Sequence, residues 1–157
     1  MVSYRLSASL LSSSNTVPEQ TPDPAAEITA AAERLQRADP AVRLDAAETL
    51  ARSEAAAEAA VPLVTACGDN DEQVRDWCVA ALEQAGPPPA ESLRALADLA
   101  ADPNPLVAYW AITLLGRLGE AAASAVPVLA GRLEPGQPPE VARRAAWALR
   151  RICPPTA

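Results

Sequence analysis

The sequence predicts an all-α solenoid built from about four repeats of two helices each. Four valines begin the same pattern at spacings of 32, 33 and 34 residues: Val42, Val74, Val107 and Val141. Each valine is followed by small or apolar residues at positions +4 and +5 and by leucine at position +8. A fixed period of this length is typical of stacked repeats. Such an array offers an extended surface, so its default function is binding.

The composition agrees with helices that pack through small side chains. Half of the residues are hydrophobic, yet the chain contains no Phe, three Trp and two Tyr. Alanine, the residue with the highest helix propensity, is abundant. All 13 cationic side chains are arginines, and the net charge is −7. This charge disfavours non-specific binding to nucleic acid or to anionic membranes.

The three cysteines are interpreted as plain core or near-core thiols. Cys67 and Cys78 lie at apolar helix positions, and the chain has no His and no CxxC pair. Free cysteine packs as a small hydrophobic residue. We therefore predict no metal site and no cofactor, and a reducing, cytoplasmic compartment.

The first 24 residues are predicted to be a disordered tail. They are rich in Ser, Thr and Pro and lack a compact apolar segment. A divergent export signal is the alternative. No stretch of the sequence approaches 18 apolar residues, so no membrane-spanning helix is predicted.

The repeat domain is predicted to cover residues 25–153, followed by a short tail at 154–157. Apolar residues at i, i+3, i+4 and i+7 mark the first helix, and Asp39-Pro40 separates it from the second. Gly68 ends the third helix, and Asp69 or Asp71 caps the fourth. The repeats are predicted to span about residues 25–52, 55–85, 90–118 and 121–153, and the helices about 25–38, 40–52, 55–67, 71–84, 91–101, 104–118, 121–133 and 139–153.

Short motifs at the start of the second helices point to a known family. The sequence reads D-P-A-V-R at 39–43, D-E-Q-V-R at 71–75 and N-P-L-V at 104–107. These segments resemble the D-P-x-V-R start of the second helix in HEAT repeats, particularly the short bacterial HEAT-like repeats of phycobilisome-lyase type. L-G-R-L-G at 115–119 is similar to the L-G-x-I-G ending of that family.

Two further segments, A-V-P-L at 60–63 and A-V-P-V at 125–128, are similar to the A-x-P-x-L element of the first helix in that family. The resemblance covers residues 25–153. It implies a right-handed superhelix of the ARM/HEAT type, in which the second helices line the concave surface.

Helix geometry assigns the residues of each second helix to a face. Counted from the valine, positions 0, 4, 7, 8 and 11 are predicted to be buried, and positions 2, 3, 6, 9 and 10 to point outward. Thr113 and Gly116 are outward by this rule. The candidate binding residues on the outward face are Asp45, Glu48, Asp76, Trp77, Tyr109, Trp110, Arg117, Arg143, Arg144, Trp147, Arg150 and Arg151.

This face changes from acidic through aromatic to basic along the array. The aromatic side chains would anchor a protein partner, because aromatic residues and Arg are enriched at interface hot spots. The arginines would meet an acidic segment, a C-terminal carboxylate or a phosphate. The protein itself would be a monomer or would self-associate weakly.

A purely structural interpretation of the same residues is also open. Trp77 and Trp110 would then wedge between adjacent second helices, and Trp147 would be covered by cation–π contacts with Arg143 and Arg150. The arginines of the last helix would favour its dipole and solubilise the end of the array. Arg43 and Arg75 are predicted to pair with loop carboxylates such as Asp39, Asp69 or Asp71.

The sequence favours a non-catalytic interaction module over an enzyme. It has no His, no Gly-rich phosphate loop and no nucleophile motif. The family resemblance leaves two alternatives: nucleic-acid binding through the aromatic and Arg face, as in fold relatives that are DNA glycosylases, and a lyase-associated role. An acid/base site would need Asp45, Glu48 and Asp76 to converge.

Overall fold

The computed structural model describes residues 21–156, and this part of the chain contains four pairs of α-helices and no β-strand. The predicted α-solenoid is confirmed. Of the predicted tail, residues 1–20 lie outside the described residues, and Pro24 is the first residue of a helix rather than part of a tail. The helices are α1 (Pro24–Arg34), α2 (Pro40–Ala51), α3 (Ala60–Ala66), α4 (Glu72–Gln84), α5 (Leu93–Ala100), α6 (Pro105–Leu118), α7 (Val126–Gly131) and α8 (Pro139–Ile152).

The first helices of the later repeats are shorter than predicted. Short 3₁₀ segments replace their expected first turns, at Ala56–Ala59, Ala90–Ser92 and Gly119–Ala125. Pro62 and Pro127 explain the boundaries of α3 and α7, because proline has no N–H and is tolerated only in the first turn of an α-helix. The prediction of continuous helices over residues 55–67 and 121–133 is therefore wrong.

The second helices begin at side-chain caps. The side chains of Asp39, Asp71 and Asn104 each accept a hydrogen bond from the backbone N–H two residues ahead, at 2.9, 2.9 and 3.0 Å. A cap of this kind stabilises a helix by about 1 kcal/mol. The N-cap of α4 is thus Asp71, and Asp69 has a different role. Pro138 precedes α8 without a side-chain cap.

The core centres on α6. The backbone of α6 runs alongside those of α5 and α8 and also approaches α3. Nine of its 14 residues are buried, including Trp110, Thr113 and Gly116. The prediction that these three residues point outward is wrong, because neighbouring helices cover α6 on more than one side. In the end repeats, two positions that are predicted to be buried, Val42 and Leu149, are only partly buried.

Residues 105–131 form one run that by length and composition could cross a membrane, and an 18-residue window within it has a mean hydropathy of 1.3. The run is not one straight helix, because it comprises α6, a 3₁₀ segment with non-helical backbone at Ala122, and α7. Gly119, with φ of 59°, ends α6. Burial of α6 in the core accounts for the apolar character of the run.

The cysteines behave as the sequence predicts at two of three positions. Cys67 and Cys78 are buried, whereas Cys153 is exposed just after α8. Burial raises the pKa of the Cys67 thiol far above its ordinary value, and it raises the pKa of Cys78 to about 12. Both thiols therefore remain protonated and poorly nucleophilic at neutral pH.

We expect one thiol of the native protein, Cys153, to react with a chromogenic disulfide reagent at about pH 8, where an ordinary thiol is partly ionised. Cys67 and Cys78 should react only after denaturation in guanidinium chloride. The measurement is the number of thiols titrated before and after denaturant, with Cys153→Ser as the control. Rapid reaction of three thiols in the native state would contradict the described packing.

Candidate functional site

Six side chains of α6 and α8 form a continuous group in which aromatic rings and guanidinium groups stack on one another. We call this group the aromatic–arginine stack. It connects the buried side of α6 to the exposed surface of the last repeat. Its members, in spatial order, are Arg117, Trp110, Tyr109, Arg144, Trp147 and Arg151.

Arg144 lies at the centre of the stack, between two rings. Its guanidinium carbon is 4.6 Å from the ring centroid of Tyr109 and 4.8 Å from that of Trp147. One of its terminal nitrogens donates a hydrogen bond to the Tyr109 hydroxyl. A guanidinium over an aromatic face gains about 0.5–2 kcal/mol. These contacts fix the position of a cation that makes no ion pair among residues 21–156.

At its inner end the stack joins α6 to α4. The rings of Tyr109 and Trp110 meet edge to face with centroids 5.5 Å apart, and the Arg117 guanidinium lies 5.9 Å from the Trp110 ring. Arg117 donates to the backbone carbonyls of Leu82 and Ala85, each at 2.6 Å. Burial lowers the pKa of Arg117 below its ordinary value, and repulsion from Arg144 adds to the effect.

This arrangement matters because α4 and α6 approach each other less closely than the other second helices do. The backbones of α2 and α4 lie side by side, as do those of α6 and α8. Between α4 and α6, side chains span the gap. Trp110 is only 6% exposed, which agrees with the wedge interpretation of this residue. Arg117 and Trp110 therefore stabilise the fold and present little surface to a partner.

At its outer end the stack closes over a glycine. A Cβ atom added at Gly116 would lie 2.3 Å from a ring carbon of Trp147. The indole therefore rests directly on the backbone of α6. Arg151 also contacts the indole, with its guanidinium 5.3 Å from the Trp147 ring and its Nε donating to the Gly116 carbonyl at 3.2 Å.

The predicted partners of Trp147 are wrong by one residue each. Helix spacing predicts Arg143 and Arg150 over the ring, but Arg144 and Arg151 cover it. Contact with Gly116 draws the indole toward α6, so the arginines nearest α6 reach it. Arg143 and Arg150 remain exposed.

Position +10 of the second helices carries a structural function that the sequence reading missed. Arg117 and Arg151 both occupy this position, and both donate to carbonyls at the end of the preceding second helix. Arg52 holds the same position in the first repeat of the described residues. It bonds to Glu48 at 3.1 Å and lies 5.9 Å from the Trp77 ring. The sequence signal for this structural function is the arginine found at position +10 in three of the second helices.

Two shallow pockets lie against the partly exposed part of the stack. The first, of about 310 Å³, is lined by Tyr109, Glu140, Arg143, Arg144 and Trp147. The second, of about 420 Å³, is mostly apolar and is lined by Pro105, Leu106, Tyr109 and Glu140. The two pockets share Tyr109 and Glu140 and are therefore adjacent.

The charges at the rim of the first pocket are loosely paired. Arg143 and Glu140 approach to 3.8 Å, and their side chains are 75% and 68% exposed. An ion pair this exposed contributes little to stability, and both groups stay free to respond to a bound molecule.

The acidic residues of the outward face lie in the first two repeats. Asp45 pairs with Arg34, and Glu48 pairs with Arg52. Asp76 is exposed and makes no ion pair within the described part of the chain. Among residues 21–156 no three Cys, Asp or Glu side chains form a group that could hold a metal ion.

Arg43 and Arg75 both bind the loop between α3 and α4, but only Arg43 pairs with a loop carboxylate as predicted. Arg43 donates two hydrogen bonds to the carboxylate of Asp69, at 2.7 and 3.1 Å. Arg75 donates to the backbone carbonyls of Asp69 and Asn70, at 2.7 and 3.2 Å. Asp69 thereby links the first repeat to the second, and its side chain is only 10% exposed.

The environment of Asp69 shifts its ionisation. Burial raises the pKa of the carboxyl, but the hydrogen bonds from Arg43 and from the backbone N–H of Asp71 outweigh burial and hold the pKa below its ordinary value. A carboxyl with a lowered pKa in the folded state stabilises the fold above its unfolded pKa of about 3.9. That stabilisation is lost as the pH falls through the folded pKa.

We expect Asp69→Asn to lower the free energy of unfolding at neutral pH and to weaken its dependence on acid pH. Urea denaturation from about pH 6 to about pH 2 measures this, because the linkage acts over that interval. Asp98→Asn is the control, since Asp98 is exposed on α5 and makes no ion pair among the described residues. Identical acid dependence in Asp69→Asn and wild type would refute this role for Asp69.

Comparison with known proteins places the chain among repeat proteins. The model of HEAT repeats matches residues 62–150. No curated protein matches the chain. The crystal structure of an engineered protein matches with a TM-score of 0.52 and 24% sequence identity. The match covers 80% of this chain but only 37% of the engineered protein, and at this identity it shows a shared fold alone.

Proposed function

The chain belongs to the HEAT repeat family, and on this basis we propose that it is a non-catalytic protein-interaction module. Its partner would lie along the outward face of the second helices, which in HEAT repeats is the concave face. The observation that supports this most is the partly exposed half of the aromatic–arginine stack. There Tyr109, Arg144 and Trp147 line a pocket on the surface of the last two repeats.

The chemistry of this half is that of an interface hot spot. Tyr109 and Trp147 are rigid side chains held by their neighbours, so a partner would immobilise few side chains of this protein. Aromatic residues and Arg dominate the binding energy at many protein interfaces. Trp77 is half-buried on α4 and would extend the contact toward the second repeat.

The charges along the face suggest how a partner is oriented. Arg143 and Arg150 are exposed at one end, and Asp45, Glu48 and Asp76 lie at the other. A partner with an acidic segment would place that segment on the last repeat, because the opposite register brings like charges together. Such complementarity mainly sets specificity and the association rate.

We expect a partner isolated with this protein to lose at least about tenfold in affinity for Arg143→Gln/Arg150→Gln, mostly through slower association. Both residues are exposed and lie outside the stack, so the melting temperature should hardly change. Surface plasmon resonance at two salt concentrations measures the effect. The matched control is Arg94→Gln, an exposed arginine on a first helix.

Unchanged affinity of the double variant would contradict the proposed face.

The nucleic-acid alternative is tested by chromatography on heparin. We expect the protein to pass through at moderate salt because its net charge is −7. Tight retention with a steep salt dependence would favour nucleic-acid binding instead.

A further inference from the structure

We infer that the two pockets beside Tyr109 bind the free C-terminus of a partner polypeptide whose last residue has an apolar side chain. The inference rests on the proposed function and narrows it, because it names the part of the partner that α6 and α8 hold. It is argued from three features: a fixed cation, an adjacent apolar pocket and a carboxylate between them.

The cation is Arg144. A guanidinium has five N–H donors, and Arg144 uses one nitrogen for the Tyr109 hydroxyl. Its other donors have no acidic partner among residues 21–156. The rings of Tyr109 and Trp147 hold the group in place, so a carboxylate entering the pocket meets a preorganised donor pair. Two parallel N–H···O bonds to a carboxylate are the geometry that Arg favours.

The apolar pocket lies on the other side of Tyr109. Pro105 and Leu106, in the first turn of α6, supply much of its lining. A C-terminal residue carries its side chain and its carboxylate on the same Cα, so its two groups enter adjacent pockets at once. An internal Asp or Glu has its carboxylate at the tip of its own side chain and leaves the apolar pocket to a different residue.

Glu140 argues against ligands with more negative charge. Glu140 lines both pockets, where its carboxylate repels a phosphate dianion or a nucleic acid backbone. The same oxygen atoms accept a hydrogen bond from the backbone N–H of a bound peptide. A C-terminal residue with an apolar side chain carries a single negative charge, and its backbone N–H can donate to Glu140. The net charge of −7 further disfavours polyanions.

Fluorescein-labelled hexapeptide pools test the inference without altering the protein. Each pool has five random positions and one fixed last residue, and each is made with a free carboxyl terminus and as an amide. We expect saturable binding, measured by fluorescence anisotropy, for free-carboxyl pools that end in Leu, Ile, Val or Phe. Amidation should weaken this binding at least about tenfold, the scale of one charge-assisted contact.

Protein variants locate the peptide. Arg144→Gln and Leu106→Ala should weaken binding of the free-carboxyl pool that ends in Leu, whereas Arg94→Gln should not. Arg144→Lys keeps the charge but loses the paired donors, so it should also weaken binding. Melting temperatures of all four variants show which of them are folded under the assay conditions.

The inference is overturned if amidated and free pools bind equally, if the last residue has no influence, or if no pool binds. These results do not affect the proposed function, provided that Arg143→Gln/Arg150→Gln weakens the binding of a protein partner. Conversely, a partner that is insensitive to that double variant removes the proposed function, even if free-carboxyl peptides bind at Arg144.

Discussion

Trp110→Ala is expected to lower the free energy of unfolding by about 3–5 kcal/mol, the usual cost of removing a buried indole. Trp110 is 6% exposed and connects Tyr109 to Arg117. Its loss leaves a cavity where α4 and α6 are joined by side chains. For a domain of this size the melting temperature should fall by about 10 °C. Thermal unfolding followed by far-ultraviolet circular dichroism measures the change.

The matched control is Trp77→Ala, which removes the same side chain from the equivalent position of the preceding repeat. Trp77 is only half-buried, under Arg52. It should therefore cost clearly less, about 1–2 kcal/mol by area removed from water. Equal losses for the two variants would show that Trp110 has no special place in the core.

Gly116→Ala is expected to destabilise the protein although glycine is a poor helix former. A Cβ atom at this position would approach a ring carbon of Trp147 to 2.3 Å, so the indole or α8 must move. Overpacking of this kind costs about 1–3 kcal/mol, which exceeds the gain of up to about 1 kcal/mol in helix propensity. The expected effect on thermal unfolding is a lower melting temperature.

Gly131→Ala serves as the control for Gly116→Ala. Gly131 is the last residue of α7, and no atom outside its immediate surroundings lies within 4 Å of a Cβ atom added there. This substitution should leave stability unchanged or raise it slightly. A stabilising Gly116→Ala would mean that Trp147 does not rest on α6 as described.

The periodic valines were sufficient to predict the helix pairs, because burial of one stripe per helix is a local property of the sequence. They were insufficient for α6. Thr113 and Gly116 are outward positions in a helix with one buried face, but α6 has neighbours on several sides. The number of neighbours depends on how the repeats stack, and this information is spread over the whole chain.

The candidate site was partly predictable, because the face on which a residue lies follows from its position along the helix. Tyr109, Arg144 and Trp147 lie on the predicted face and come together there. Arg117 and Arg151 lie on that face too, yet their donors turn toward backbone carbonyls at the end of the preceding second helix. A pattern of residue types gives the position of an arginine on a helix. It does not give the acceptor that its flexible side chain reaches.

Pro62 and Pro127 explain why the lengths of the first helices differ from the predicted ones. Both fit the first-helix element of the family, but their position in the first turn also fixes where α3 and α7 begin. The shorter first helices leave α6 and α8 as the longest elements of the array, at 14 residues each. The partly exposed half of the stack is thus built on the two longest helices.

The most direct test of the proposed interface is hydroxyl-radical footprinting of the protein alone and in complex with a bound partner. Oxidation of each aromatic side chain is measured by mass spectrometry. We predict that Tyr109 and Trp147 react in the free protein and are protected in the complex, while buried Trp110 is unreactive in both. If Tyr109 and Trp147 stay equally reactive while residues of α3 or α5 become protected, the partner binds the first helices and the account is contradicted.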